Sequence, residues 1–302
     1  MNFNWLPPLL GLVLAPLLLG VINRTKAFFA GRKGQPLLQS YFDLARLLRK
    51  GAVYSSTTSW VFRLGPLIGL AAMFTALQLV PMGGQKSLLH FTGDVVLFCG
   101  LLALGRFATI IAALDTGSSF EGMGASREAF FGALAEPALY LSLAALVRHT
   151  GWSELSASLG VLSERNWVDV DPSLVLVTVA LLAVFLVENC RIPVDDPNTH
   201  LELTMIHEVM VLDYSGPDFA FILYGAALKM WILGSLLIGI VLPALSSSAA
   251  LNVGFSLLGV LGLAVLVGII ESVMARLRMI VVPQLLVVAS ALAATALLLG
   301  VR

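Results

Sequence analysis

Charge, cysteine and histidine are all scarce in this sequence, and each shortage excludes something. Of 302 residues only 12% are charged while 58% are apolar, against roughly a quarter charged in ordinary soluble domains. That balance points to a polytopic membrane protein. The eighteen basic and eighteen acidic residues cancel, so the concentrated basic surface that nucleic acid requires is missing. Cysteine is limited to Cys99 and Cys190, far apart and outside any C-x-x-C pair. Iron–sulfur clusters are held by about four thiolates and structural zinc by four ligands, so electron carriers are expected in another chain. His207-Glu208 begins an H-E-x-x-H pattern, but Val211 stands where the second histidine is needed. His200 and His207 would lie about 10 Å apart along a helix, too far for one ion, so no metal site is expected. Internal repeats are lacking too, which disfavours the inverted-repeat transporters. The first apolar run has no basic stretch before it and no A-x-A site after it, and reads as a retained span.

What is abundant is hydrophobic length. Apolar runs near twenty residues give eight candidate spans, about 6–22, 64–80, 95–113, 130–147, 174–190, 219–242, 254–270 and 281–300. The expected fold is all-α: one integral membrane domain over 1–302, with amphipathic helices in the first and fifth loops. The odd-numbered loops hold twelve Lys and Arg residues, eight of them between 23 and 63, against four on the other side. By the positive-inside rule the odd loops face the cytoplasm and both termini lie outside, in a bacterial or archaeal cytoplasmic (inner) membrane.

Charge is concentrated in ENCRIPVDDPNTHLELTMIHEVMVLD, 188–213, which holds six of the carboxylates and two of the four histidines. The apolar run 174–187 spans only about 21 Å at 1.5 Å per residue, so the helix is expected to continue through Glu188 and Arg191 to near Pro193. Those two groups, at i and i+3, are then within pairing distance at the membrane boundary, where ionisable groups are costly and suggest function. A simple helix-ending ion pair is the bland alternative. After Pro193, Asp196-Pro197 or the capping box Thr199/Glu202 begins an amphipathic surface helix, with His200, Thr204 and His207 along one face. Deeper in the chain, Arg106, Glu136 and Lys229 are intramembrane charges. Lys229 lies so far from either helix end that it needs an internal partner. With Glu188 these groups form either a polar path or a purely structural network.

These segments carry a resemblance. E188-x-x-R191-x-P193-V194-D195 followed by E202-L203, QPLLQSYFDLARLLRK at 35–50, and ARLRM at 275–279 are similar to three motifs of the respiratory complex I subunit 1 family. Val194 replaces that family's Phe, and Asn198 and His200 stand where the quinone-reducing members carry glutamates. LDTGSSFEGMGASRE at 114–128 and ESVMARLR at 271–278 instead resemble the hydrogenase-4/formate hydrogenlyase branch, a group of membrane-bound (group 4) hydrogenases.

The resemblance implies a membrane-anchoring and coupling subunit of an oxidoreductase complex. Its soluble module docks on the cytoplasmic side, and its redox chemistry is linked to proton or sodium translocation. No catalytic or redox centre is expected in this chain. Iron–sulfur clusters, with or without a nickel–iron centre, belong to hydrogenase-like small and large subunits, and antiporter-like subunits complete the membrane arm. The coupling path implied is Glu188, Arg191, Asp195, Glu202, Glu136, Arg106 and Lys229. The docking surface implied comprises Arg32, Lys33, Asp43, Arg46, Arg49, Lys50, Asp196, His200, His207, Arg276 and Arg278, on loops 23–63 and 188–218 and the segment before the last span. The alternatives are a quinone-binding subunit of a respiratory NADH dehydrogenase and a stand-alone ion carrier.

Overall fold

The structure is a computed structural model that describes residues 4–164, 171–195, 205–244, 246 and 248–300. Its described residues form α1 (Leu6–Phe29), α2 (Gln39–Leu48), α3 (Trp60–Leu77), α4 (Asp94–Asp115), α5 (Ser119–Thr150), α6 (Leu155–Glu164), α7 (Pro172–Glu188), α8 (Gly216–Val241), α9 (Ala249–Val273) and α10 (Val281–Leu299). Seven of these helices are long and apolar enough to cross a membrane, and α7 is a shorter apolar one. The chain is an all-α, multi-pass membrane protein.

Helix α8 is the axis of the bundle. It touches α1, α2, α3, α7 and α9, and 67% of its apolar window is buried inside the protein, against 28% for α10. Trp231, Ile232, Leu228 and Leu236 pack fully into the core around it. Lipid tails are as apolar as leucine, so close packing must hold such a bundle together, and small residues allow it. At the α3–α4 contact a Cβ on Gly65 would come within 2.6 Å of the Ala112 methyl, so these two helices approach almost backbone to backbone.

Polar contacts define the two ends. At one end Lys26 of α1 pairs with Glu271 of α9 at 2.8 Å, Asp115 of α4 accepts from the Ser59 amide before α3 at 2.7 Å, and Tyr54 donates to Asp218 of α8 at 2.7 Å. This end carries the basic loops. The opposite end is closed by α6, where the Leu155 amide donates to Asp94 at 2.8 Å and the Ser87 and Ser156 hydroxyls bond at 2.7 Å.

The structure departs from the sequence reading in three places. Helix α5 begins at Ser119, well before the expected 130, and its 32 residues are about 48 Å long at 1.5 Å per residue. Its first turns read as a cytoplasmic loop because they are polar and the apolar run begins only at 130. The segment 205–215 covers them instead: a Cβ on Gly124 would clash with Val209, and the Arg127 guanidinium donates to the Met205 carbonyl at 2.8 Å.

Helix α7 stops at Glu188 and does not run on to Pro193. The Arg191 amide closes back on the Leu186 carbonyl at 2.9 Å and the Cys190 amide on Val187 at 3.0 Å. This is a Schellman turn whose left-handed position, ordinarily glycine, is held by Cys190 at φ 49°.

The third departure is the part of 188–218 expected on the surface. Met205, Ile206, Val209, Met210, Val211 and Tyr214 are buried. Residues 208–211 form a short 3-10 turn, and Tyr214 stacks on Phe62 at 3.9 Å while donating to its carbonyl at 2.7 Å. The expected amphipathic helix, with Asp196, Thr199, His200, Glu202 and Thr204, lies outside the described residues.

Candidate functional site

The site grows from one arginine. Arg106, in the third span, has a side chain only 7% exposed and is surrounded by carboxylates. Its Nη1 donates to Glu136 at 2.8 Å, its Nη2 bonds Glu188, and its Nε lies 3.6 Å from Glu128. Glu128, Gly132 and Glu136 recur every fourth residue on α5, hence along one stripe of that helix. The glycine is required: a Cβ there would lie 2.5 Å from Arg106 Nη1. The second oxygen of Glu188 faces the Lys229 ammonium of α8 at 3.4 Å. Four helices thus meet on a group of three carboxylates and two cations, with Glu188 only 5% exposed. The four groups expected on a polar path, Arg106, Glu136, Glu188 and Lys229, come together, and Lys229 has the internal partner its depth demanded.

A second network lies beside the first, at the end carrying the basic loops. Glu271 of α9 bridges Lys26 at 2.8 Å and Arg191 at 3.5 Å, and Asp195 pairs with Arg276 at 2.8 Å. Asp195 also accepts from the Ile206 amide at 3.0 Å, while the Leu277 amide donates to the Pro193 carbonyl at 2.8 Å. Two of the motif segments, 188–195 and 275–279, are therefore bound to each other. Between the networks is a cavity of about 50 Å³ lined by Glu188, Cys190, Arg191, His207 and Lys229. A further cavity of about 70 Å³ runs from Arg106, Glu128 and Lys229 out between α3 and α8.

Several expected contacts are revised. Glu188 and Arg191 do not pair with each other, because the Schellman turn between them sends Glu188 to Arg106 and Lys229 and sends Arg191 to Glu271. His207 and Arg276 do not form an open docking face: Arg276 is engaged by Asp195, and His207 is turned inward, its Nδ1 sealed from solvent without a hydrogen-bond partner among the described residues. Burial first, then the Lys229 ammonium, push the His207 imidazole down to about 4, so it is neutral. Burial likewise raises the Cys190 thiol.

The other docking candidates are where an exposed surface would need them. Arg32, Lys33, Arg46, Arg49, Lys50 and Arg278 are exposed, and Asp43 is half-buried, accepting from the Gln39 amide side chain at 2.9 Å. Helix α2 buries none of its residues and leaves Leu38, Phe42 and Leu48 open beside those cations. Asp196, His200 and Glu202 lie outside the described residues.

Sequence reasoning missed Glu128, Gly132 and the pairing of Glu271 with Lys26. The fourfold spacing of Glu128, Gly132 and Glu136 was the available signal, hidden by starting the helix too late. Glu271 opens the ESVMARLR motif and was passed over as a span end.

Residues 5–301 match the family described as NADH dehydrogenase. The chain belongs to that family. Within it, the chain is 31% identical over 277 residues to formate hydrogenlyase subunit 4 of Escherichia coli K12, covering 90% of this chain and 89% of the relative. It is also 31% identical over 291 residues to hydrogenase-4 component C of the same organism, covering 94% and 91%. An NADH-quinone oxidoreductase subunit of Burkholderia vietnamiensis is more distant, at 24% over 213 residues, 66% of this chain and 58% of that one. Among solved structures, a chain of the membrane-bound sulfane sulfur reductase, an archaeal respiratory membrane complex, has the same fold. It superposes with a TM-score of 0.81 over 97% of this chain and 99% of that chain at 18% identity.

Proposed function

We propose that the chain is the membrane-anchoring and coupling subunit of a complex like formate hydrogenlyase or hydrogenase-4. It holds a soluble electron-transfer module at the end bearing the basic loops, which we place in the cytoplasm, and links that module's redox chemistry to proton or sodium movement through membrane partners. The iron–sulfur clusters, and any nickel–iron centre, reside in those partners. The 31% identity to the two Escherichia coli subunits over nine-tenths of the chain supports the assignment. The observation that carries the coupling role is the buried Arg106 shared by Glu128, Glu136 and Glu188, with Lys229 sharing Glu188.

Two cations distributed among three carboxylates in a low-dielectric interior respond to any added charge, because the field of an electron arriving above the membrane is poorly screened there. A negative charge near the 188–195 turn draws Arg106 and Lys229 toward it. The carboxylate that loses its cation then favours the protonated form. Repetition of that exchange between Glu128 and Glu188, which line the two adjoining cavities, and on to Glu271 by way of Arg191, moves a proton across the networks. In this reading the chain's own residues hold and pass protons, and electrons never enter it.

The quinone-reducing alternative requires a chamber at this site. Among the described residues the cavity reaching the network from between α3 and α8 is about 70 Å³, and a quinone would need it enlarged toward the roughly 300–1,000 Å³ of small-molecule pockets. The test is to copurify the complex, read the cysteine ligands of its partners, and compare coupled and uncoupled activity in Glu188→Gln and Lys229→Met. Retained electron transfer with lost ion movement supports the proposal, and full coupling in both variants overturns it.

A further inference from the structure

One cluster shares only Glu128 with this reading. Glu128 of α5, Cys190 in the turn after α7, and His207 in the connection to α8 each offer a ligand atom, and these atoms lie within 4.8 Å of one another. Each pair of the three shares a cavity. Glu128 and His207 line the space between α3 and α8, Cys190 and His207 the one between the two networks, and Glu128 and Cys190 a small third pocket against Phe131 and Val194. The three side chains therefore surround a single meeting point.

We infer that Glu128, Cys190 and His207 form a binding site for one soft or borderline divalent cation of the zinc type. Thiolate, imidazole and carboxylate are the zinc donor set, whereas magnesium and calcium take oxygen ligands. Tetrahedral zinc with bonds of about 2.0–2.3 Å needs its ligand atoms roughly 3.3–3.7 Å apart, so the site closes by at most about 1.5 Å. Three protein ligands leave the fourth position to water, for which the adjoining cavity of about 50 Å³ has room.

Three further observations fit. The His207 Nδ1 is buried with no hydrogen-bond partner among the described residues, and a buried imidazole nitrogen of that kind calls for a partner. Cys190 is the one described non-glycine residue at positive φ, in a turn position that glycine takes freely and other L-residues take under strain. Strain retained at a residue with a reactive side chain is an indication of function. Charge balances as well: Arg106 and Lys229 oppose three carboxylates, leaving one negative charge. Binding converts the thiol to a metal thiolate, releases its proton to the medium, and brings the group to neutrality with the ion in place.

The site rests on this chain's residues alone and not on the coupling proposal. It is tested on the intact complex after chelator treatment, by zinc titration with bound metal counted by mass spectrometry, and by zinc-edge X-ray absorption. One zinc per chain with a sulfur neighbour is expected, displaced by cadmium and untouched by millimolar magnesium. Affinity should fall at least tenfold in Cys190→Gly and in His207→Gln. Cys190→Gly suits the left-handed turn better than the native residue, so a folding failure does not obscure the result. Zinc bound without a sulfur neighbour, or with equal affinity in Cys190→Gly, overturns the inference.

Discussion

Two charged regions of this molecule obey opposite rules. Inside the bundle, Arg106 is fixed by three carboxylates and a glycine that makes room for it, and every member of the group is contributed by a different turn or helix. On the basic loop, α2 carries Arg46 and is followed by Arg49 and Lys50, all exposed, beside apolar side chains that nothing among the described residues covers. The first region is complete in itself and its residues specify one another. The second is an open surface, which the proposed function makes half of an interface. A charge in lipid must find its partner within the protein, whereas a charge in water need not.

That contrast fixes the order of mutational effects. The largest belongs to Arg106→Leu, which strands Glu128, Glu136 and Glu188 around a vacated cation. Removing one side of a buried ion group costs about 3–5 kcal/mol, so the variant chain is expected to be absent from membranes by immunoblot, with Arg106→Lys partly restored. Next is Gly132→Ala, whose methyl would lie 2.5 Å from Arg106 Nη1. Overpacking of this kind costs about 1–3 kcal/mol, read as a lower Tm of the purified complex and reduced coupling. Tyr214→Phe keeps the stack on Phe62 and loses only the 2.7 Å hydrogen bond to its carbonyl, a loss of about 1 kcal/mol that a small drop in Tm should show. The smallest effect on stability belongs to Arg46→Glu/Arg49→Glu/Lys50→Glu, because exposed charges far from partners contribute little to folding. This triple variant should keep its Tm and release the soluble module on a native gel. If it loses stability, or if Arg106→Leu is harmless, the contrast between the two regions is wrong.

Legibility in the sequence follows the same line. Eight apolar runs, the grouping of Arg106, Glu136, Glu188 and Lys229, and the need of Lys229 for a partner were readable because the bilayer imposes length and penalises lone charge. The course of α5 was not. Its first turns are polar and look solvated, and only the packing of 205–215 over Gly124 shows that Glu121 and Glu128 are buried there. The end of α7 was misplaced because counting residues to fill a bilayer ignored the turn at Asn189–Cys190. Without that turn Glu188 and Arg191 would share a face; with it they serve two networks. Cys190 and His207 lie in one charged stretch but several turns of chain apart, and Glu128 lies far before it, so no spacing rule brings such ligands together.

The central claim is that the Arg106-centred carboxylate group carries coupling and not merely structure. Its most direct test is the intact complex in sealed vesicles with Glu188→Gln, a change that keeps the shape and hydrogen-bonding reach of the side chain while removing its charge and its proton exchange. Assembly and electron transfer at near wild-type rates, with ion translocation lost, is the predicted result. Translocation per electron equal to wild type would contradict it and leave the network a scaffold.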